Sequence, residues 1–312
     1  MAFVENLHSW LMYISSKMIH NVLYMKIKKF LISIFILIAL FIVSLPQMLN
    51  MAGLHPDYEG DVFEFNNKKA LIIATNHGVL NKPGETDGKP TGLFLSELSI
   101  PYYDFKKSNI KVDIASIKGG DIPTEPVPFF IDTPEDKKFK KDKEAMNLLQ
   151  NSLPIKEIDF TKYDIIFISG GWGAAYDLGF SELLGEKISD AYYSSKAIIG
   201  GVCHGVLGLI KAKDNDGNPL IAGRKMTGVT DKQLKELGIF FTPQHPEEEL
   251  KKAGVIFQNE TAFRDIFATL TVVDDEKRFV TGQNQNSGHE TAYAMMKILN
   301  SIEWGLENEK IF

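Results

Sequence analysis

Residues 197–205 read Ala-Ile-Ile-Gly-Gly-Val-Cys-His-Gly and hold the chain's single cysteine. An apolar, β-branched run ends in Gly201-Val202-Cys203-His204-Gly205, and a helix-like stretch from Val206 to Lys211 follows. Glycines on both sides of one reactive residue, between a strand and a helix, mark a strand-to-helix elbow with sulfur in place of a hydroxyl. The turn is sharp, and only small neighbours let the backbone pass. Such an elbow lifts the thiol above the edge of a sheet. The free N–H groups of the next helix predict a thiolate with a lowered pKa. The bland role for a lone cysteine is a small buried hydrophobe; the glycines and the adjacent histidine favour the reactive role.

The elements around the elbow predict an α/β fold. Ala70–Thr75, Ile110–Ser116, Tyr163–Ser169 and Ala197–Val202 are short apolar runs with the length and composition of buried strands. Helical spacing separates them, over Thr91–Phe105 with an interruption at Pro101 and over Ala174–Ser195. This alternation implies a mostly parallel sheet covered on both faces. Weaker strand signals lie at Thr269–Val273 and Phe279–Thr281, before a terminal helix from about His289 to Asn300. Between the second and third strands, Gly119–Asp132 is rich in proline and acids, and Pro134–Leu153 is charged and helical in pattern. An excursion of this length is either a lid or a solvated decoration.

The N-terminus follows different rules. No charged residue occurs from Phe30 to Leu54, and Phe30–Leu45 is broken only by Ser33 and Ser44. Extended to Leu49, the run reaches the roughly 20 residues needed to cross a bilayer. Lys26, Lys28 and Lys29 precede it and His55, Asp57, Glu59 and Asp61 follow, so the positive-inside rule keeps the N-terminus in the cytoplasm and sends the rest outward. The competing reading is a secretory signal beginning at Met25, with a secreted product after cleavage; no Ala-x-Ala site is evident. The division expected is a cytoplasmic segment over 1–29, a membrane helix or signal anchor over 30–50, a linker over 51–68 and one domain over 69–312. Residues 1–24, mixed polar and aromatic, read as an interfacial segment.

Composition narrows the function. The chain has 312 residues, 44% hydrophobic and 24% charged, with net charge −6 and no basic stripe, so nucleic acid is not an expected partner. One cysteine excludes an internal disulfide or a cysteine-rich zinc site, and the seven histidines show no paired ligand spacing, so neither metal nor cofactor is expected.

Ligands of an open parallel sheet bind beyond the carboxyl ends of its strands. Cys203 lies at such an end, as do the turns Asn76-His77-Gly78 and Ser169-Gly170-Gly171-Trp172-Gly173. Gly171-x-Gly173 is followed by Tyr176 where a dinucleotide fingerprint needs a third small residue, so that use fails. The N–H of Gly170 or Gly171, with that of His204, is instead an expected oxyanion site. Glu97, on the helix after the first strand, is either a carboxylate facing the thiol or a solvated helix charge. His204 is a candidate base, and Asp231 either orients its imidazole or caps a helix over 232–237.

Taken together, Thr91-Gly-Leu-Phe-Leu-Ser-Glu97-Leu-Ser-Ile-Pro101, Gly170-Gly-Trp-Gly173, Gly201-Val-Cys-His-Gly205, Gly228-Val-Thr-Asp231 and Thr281-Gly-Gln-Asn-Gln-Asn-Ser287 resemble the DJ-1/PfpI superfamily. This superfamily is related to class I glutamine amidotransferase domains, and the resemblance is strongest to its glyoxalase III-like branch, which includes heat-shock chaperones. The resemblance spans nearly all of the chain after Lys69. It implies a flavodoxin-like three-layer sandwich, a nucleophile Cys203 with Glu97 hydrogen-bonded to its sulfur, and a Cys203-His204-Asp231 set. It also implies a homodimer and a glutathione-independent glyoxalase that converts methylglyoxal, an α-oxoaldehyde, to D-lactate. Alternatives within the superfamily are an amidase or peptidase, and a redox-sensing chaperone. Trp172 departs from the histidine many relatives carry there, altering the pocket, and Leu234 occupies the acid's position in some relatives, leaving only the Asp231 variant.

Overall fold

The computed structural model describes residues 2–309, so the outermost ends of the expected divisions 1–29 and 69–312 lie outside the described residues. The chain separates after Met51 into two units. The first is one helix, α1 (Ala2–Met51), of 50 residues. It exceeds the expected 30–50 span because nothing before Phe30 stops a helix: the lysines there are good helix formers. Among the described residues it is the one helix long and apolar enough to cross a membrane. Its apolar side chains are exposed, Phe35 at 72% and Val43 at 75%, which sets it apart from a core helix. Its two apolar-stretch serines turn inward on the helix, Ser33 Oγ donating to Lys29 O at 3.0 Å and Ser44 Oγ to Phe41 O at 2.9 Å, so both hydroxyls are satisfied within the helix.

The second unit is built on a seven-stranded sheet. In chain order the strands are β1 (Lys69–Ala74), β2 (Lys111–Ser116), β3 (Leu153–Pro154), β4 (Ile165–Ile168), β5 (Ile198–Val202), β6 (Thr271–Val273) and β7 (Phe279–Gly282). Their spatial order is β6-β7-β5-β4-β1-β2-β3, all parallel except β6 against β7. β1 is the centre, with Ile72 in register with Ile114 on one side and Phe167 on the other. Alternate residues along β1 feed opposite faces. Ala70, Ile72 and Ala74 pack with Leu98, Tyr102 and Phe105 of α2 (Ser96–Lys107) and with Met295 and Met296 of the terminal helix, α5 (Gly288–Glu309). Leu71 and Ile73 pack with Leu184 and Ile188 of α3 (Glu182–Ser194). The product is the mostly parallel three-layer α/β sandwich that the alternation of runs predicts.

Two helices begin later than their spacing suggests. Gly92 adopts φ +146°, and Leu93 N–H donates to Pro123 O at 2.8 Å, so Thr91–Leu95 is held against the excursion and α2 starts at Ser96. The Ala174–Ser195 stretch breaks where Ser181 Oγ caps α3 by accepting Leu184 N–H at 3.1 Å. Much of the excursion is packed inward rather than solvated: Ile122, Phe139 and Leu149 are buried, and buried Asp136 accepts the Ser99 hydroxyl at 2.6 Å. The expected linker is partly domain as well, with Leu54 and Phe65 buried within it.

Pro101 sits inside α2 and has no N–H to give to the carbonyl four residues back. That carbonyl belongs to Glu97, and the Ser169 hydroxyl after β4 donates to it at 2.9 Å. The proline thus ties the first turn of α2 to the carboxyl end of β4. The elbow is equally tight: a Cβ on Gly205 would stand 2.2 Å from Ile168 O. Gly205→Ala is therefore expected to force β4 and β5 apart and to lower stability by about 1–3 kcal/mol, read as a lower denaturant midpoint for the detergent-solubilised chain.

Candidate active site

β5 ends at Val202 in extended conformation, and Cys203 turns at once to φ +57°. A non-glycine residue held there stores about 1–3 kcal/mol of strain and persists only when its surroundings enforce it. The enforcement is visible, since Cys203–Leu209 is one wholly buried 3-10 helix with Leu207 and Leu209 fully enclosed. The side chain of Cys203 is therefore 6% exposed and opens only into a cavity.

Glu97 reaches the same point from α2, and its side chain is 1% exposed. Oε2 accepts the Gly170 N–H at 2.8 Å. A Cβ on Gly170 would lie 2.7 Å from that oxygen and 2.7 Å from His204 N, so the acid, the glycine turn and the elbow converge where only a glycine fits. Glu97 and Cys203 are hydrogen-bonded to each other.

Burial pushes the Glu97 carboxyl well above the usual carboxylate range, and nearby Glu125 adds to the rise. Burial also pushes the Cys203 thiol up, and the Glu97 charge adds to it, against a lowering by the His204 backbone N–H. The expected fall in thiol pKa is thus corrected: a short buried 3-10 turn replaces an exposed helix N-terminus, and an acid stands beside the sulfur. Both shifts favour the protonated forms, so the acid and the thiol each hold a proton more tightly than the free groups do.

His204 is 2% exposed, and burial lowers its pKa to about 3, so the imidazole is neutral. Its Nδ1 lies 3.5 Å from Cys203 Sγ, and its ring centroid lies 4.8 Å from that of Trp172. Nε2 is buried without a hydrogen-bond partner. The structure therefore does not join Asp231 to the imidazole. Thr230 caps the helix α4 (Asp231–Leu237) by accepting Gln233 N–H at 3.0 Å, and Asp231 is its first residue, donating its N–H to Glu247 at 2.8 Å. Asp231 Oδ1 is likewise buried with no partner. The two groups read as a pair in sequence sit without a bond between them.

Of the two alternative glycine donors expected at the oxyanion site, the structure leaves Gly171, together with the His204 N–H. The Gly170 N–H is already taken by Glu97, and the Trp172 N–H is taken by Glu125 Oε1. Gly171 and Trp172 do line the cavity. His77 does not: its ring stacks on Tyr176 at 4.1 Å and Nε2 contacts Val79 O at 2.5 Å.

The cavity has a volume of about 180 Å³, below the roughly 300–1,000 Å³ of sites for drug-sized ligands, which suits a molecule of few heavy atoms. Phe94, Val127, Ile131, Trp172, Val229 and Ile266 supply apolar wall, and among the described residues no lysine or arginine lines it. Its titratable groups are Glu97, Cys203, His204 and Glu125. Glu125 escaped the sequence reading because it lies in the proline-rich excursion, where no periodicity reports which way a side chain faces. Burial pushes its carboxyl up to about 7.

The raised Glu97 pKa fixes the sign of a stability effect. A carboxyl that keeps its proton when folded but loses it when unfolded weakens the fold as pH rises above the unfolded value of about 4.3. Glu97→Gln removes this penalty and keeps an acceptor for Gly170. It is expected to raise Tm at pH 7 and to leave Tm little changed at pH 4, measured by thermal unfolding at both pH values.

The DJ-1/PfpI family pattern matches residues 91–298. Glyoxalase 3 of Candida albicans is 29% identical over 237 residues, covering 72% of this chain and 95% of that protein. A glutathione-independent glyoxalase of Saccharomyces cerevisiae is 29% identical over 245 residues, covering 75% of this chain and 99% of its own length. Among solved structures, the Rapid Encystment Protein of Francisella tularensis aligns with TM-score 0.66 at 31% identity, covering 74% of this chain and 99% of that one. The crystal structure of glyoxalase III from Candida albicans aligns with TM-score 0.62 at 25% identity, covering 74% and 97%.

Proposed function

This chain belongs to the DJ-1/PfpI family, and from that membership we propose that it is a cysteine-dependent, glutathione-independent glyoxalase acting on small, uncharged α-oxoaldehydes. The observation that carries the reading is the proton-retaining pair of Glu97 and Cys203 in a small cavity without cations. Glu97 is the neutral acid beside the sulfur; as sulfur adds to the aldehyde the thiol gives its proton to His204, and Glu97 protonates the oxygen that results.

The atoms balance as follows. The Cys203 sulfur forms a C–S bond to the aldehyde carbon C1, the carbonyl pair moves to oxygen, and Glu97 supplies the proton that makes a hemithioacetal. A proton then leaves C1, the C1–H pair becomes the C1–C2 double bond, and the C2 carbonyl pair moves to its oxygen, which takes up a proton to give the enediol. A proton returns at C2 on the double-bond pair while the C1 hydroxyl gives up its proton and closes to a carbonyl, leaving a thioester of the 2-hydroxy acid. Water cleaves the thioester, restoring the sulfur and releasing the acid, so one water is consumed per aldehyde. His204, neutral and 3.5 Å from Sγ at Nδ1, exchanges protons with the sulfur at entry and release.

An amidase or peptidase is less well supported. Acyl transfer from an amide relies on an imidazole whose second nitrogen is oriented by an acid, and His204 Nε2 has no partner.

We further propose that α1 anchors the chain in a membrane with Lys26, Lys28 and Lys29 on the cytoplasmic side and the domain outside, and that the domain pairs as a homodimer. Resistance of the chain to alkaline extraction from membranes, with an uncleaved N-terminus by Edman sequencing, is the expected result; a soluble product beginning after Leu49 rejects the anchor.

The detergent-solubilised chain is expected to convert methylglyoxal to D-lactate without glutathione. Cys203→Ser is expected to reduce kcat/KM by at least about 10³-fold, followed by aldehyde loss and product chirality. A serine variant that consumes aldehyde at the original rate removes the covalent mechanism.

A further inference from the structure

The isomerisation moves a proton from C1 to C2, and the Glu97–Cys203 pair is already engaged with the sulfur and its adduct. We infer that Glu125 is the catalytic residue that carries this proton, acting as general base at C1 and general acid at C2. The inference rests on the glyoxalase reading and names a role that the sequence did not reveal.

The geometry is that of a placed group rather than a wandering loop charge. Glu125 lies between β2 and β3, in an excursion pinned to the strand-like segment before α2. Leu93 N–H donates to Pro123 O at 2.8 Å, and Glu125 N–H donates to Leu93 O at 2.9 Å. One carboxyl oxygen, Oε1, accepts the Trp172 N–H, so the glycine turn after β4 fixes the carboxyl as well as the backbone. The side chain lines the cavity alongside Cys203, Glu97 and His204, which together are all of its titratable lining. It interacts electrostatically with both Glu97 and Cys203 and therefore stands close to the reacting sulfur.

The groups facing Glu125 explain why it suits the task. Glu97 on α2 and Cys203 on the elbow are both shifted toward their protonated forms, and His204 is neutral. No lysine or arginine lines the cavity to hold Glu125 as a permanent anion. Its pKa of about 7 places it where a carboxyl both gives and takes a proton at neutral pH. Glu97 is less suited to the same work, because its side chain is almost wholly enclosed whereas that of Glu125 is only partly buried. As the base, Glu125 takes the C1 proton while the C1–H pair becomes the C1–C2 double bond. It then returns that proton to C2, where the C1–C2 double-bond pair becomes the C2–H bond while the C1 hydroxyl loses its proton and its oxygen pair closes the C1 carbonyl. The proton lost there balances the one the C2 oxygen took up when the enediol formed, and no oxidant is needed.

Glu125→Gln keeps an oxygen acceptor for the Trp172 N–H and removes only the titrating group. With methylglyoxal and the full-length chain in detergent, its kcat/KM is expected to fall by about 10²-fold or more. The limb of the wild-type pH profile near 7 should vanish, and the isotope effect with C1-deuterated aldehyde should grow. Glu125→Asp should restore part of the rate and the pH limb. Turnover within about threefold of wild type, with the limb near pH 7 intact, overturns the assignment while leaving the glyoxalase reading in place. A rate loss accompanied by a matching loss of Cys203 alkylation by iodoacetamide also overturns it, since that marks a structural role. If the wild type turns over no 2-oxoaldehyde, the glyoxalase reading fails first and the role of Glu125 fails with it.

Discussion

The hydrogen bond from the Gly170 N–H to the Glu97 carboxyl is the constraint around which the active end of the domain is arranged. It holds an acid from α2 against a sulfur at the end of β5, and the peptide between them belongs to the turn after β4. Two strand ends and the first turn of α2 must stand at fixed heights for that meeting to occur. Pro101 helps set one of them, because the carbonyl it leaves open is filled by Ser169 of the same turn. Gly205 sets another, because the elbow crosses Ile168 too closely for any side chain. The acid has no cation beside it, so burial is not offset by an ion pair. A fold selected for stability alone has no reason to keep an uncompensated carboxyl there. Retaining it together with a cysteine at φ +57° is the mark of a site whose geometry serves chemistry.

What the sequence discloses and what it hides divide along physical lines. Strands buried on both faces declare themselves as apolar runs, and β1, β2, β4 and β5 fall within two residues of the runs that announce them. The elbow is legible because its glycines are demanded by a backbone approach within the same short segment. Glu97 is legible through its place in a resemblance, since helix position alone leaves its direction open. Glu125 is not legible at all, because its orientation depends on a backbone pairing with Leu93 some thirty residues away. Asp231 misleads for a different reason: Thr230, its neighbour, is the better cap, and placing Asp231 at the first helical position directs its N–H to Glu247. The direction of the thiol pKa misleads because helix-dipole reasoning assumes an α-helix with an open end, whereas the chain forms a buried 3-10 turn.

The cavity's composition also constrains how the proposed chemistry runs. Its polar chemistry is concentrated in four titratable groups, and its walls offer no fixed positive charge. A neutral aldehyde enters without desolvating an ion and meets apolar side chains. Every anionic species formed along the route must then be neutralised by moving a proton, since no arginine or lysine stands ready to pair with it. The clustering of groups whose pKa values are displaced toward or beyond neutrality is what such a route requires. Trp172 fits this picture: it adds apolar area beside His204 where many relatives carry a second imidazole, and so narrows the site's proton traffic to the groups already described.

The same absence of cations gives the proposed reaction a direction. The proposed substrate is uncharged and its product is a carboxylate, formed in a cavity that already holds the titrating carboxyl of Glu125. Like charges a few ångströms apart at low dielectric repel by several kcal/mol, and no counter-ion in the wall offsets the repulsion. The product is therefore bound more weakly than the substrate it came from. Its departure needs no lid movement or second binding event, because hydrolysis of the thioester itself creates the charge that expels it.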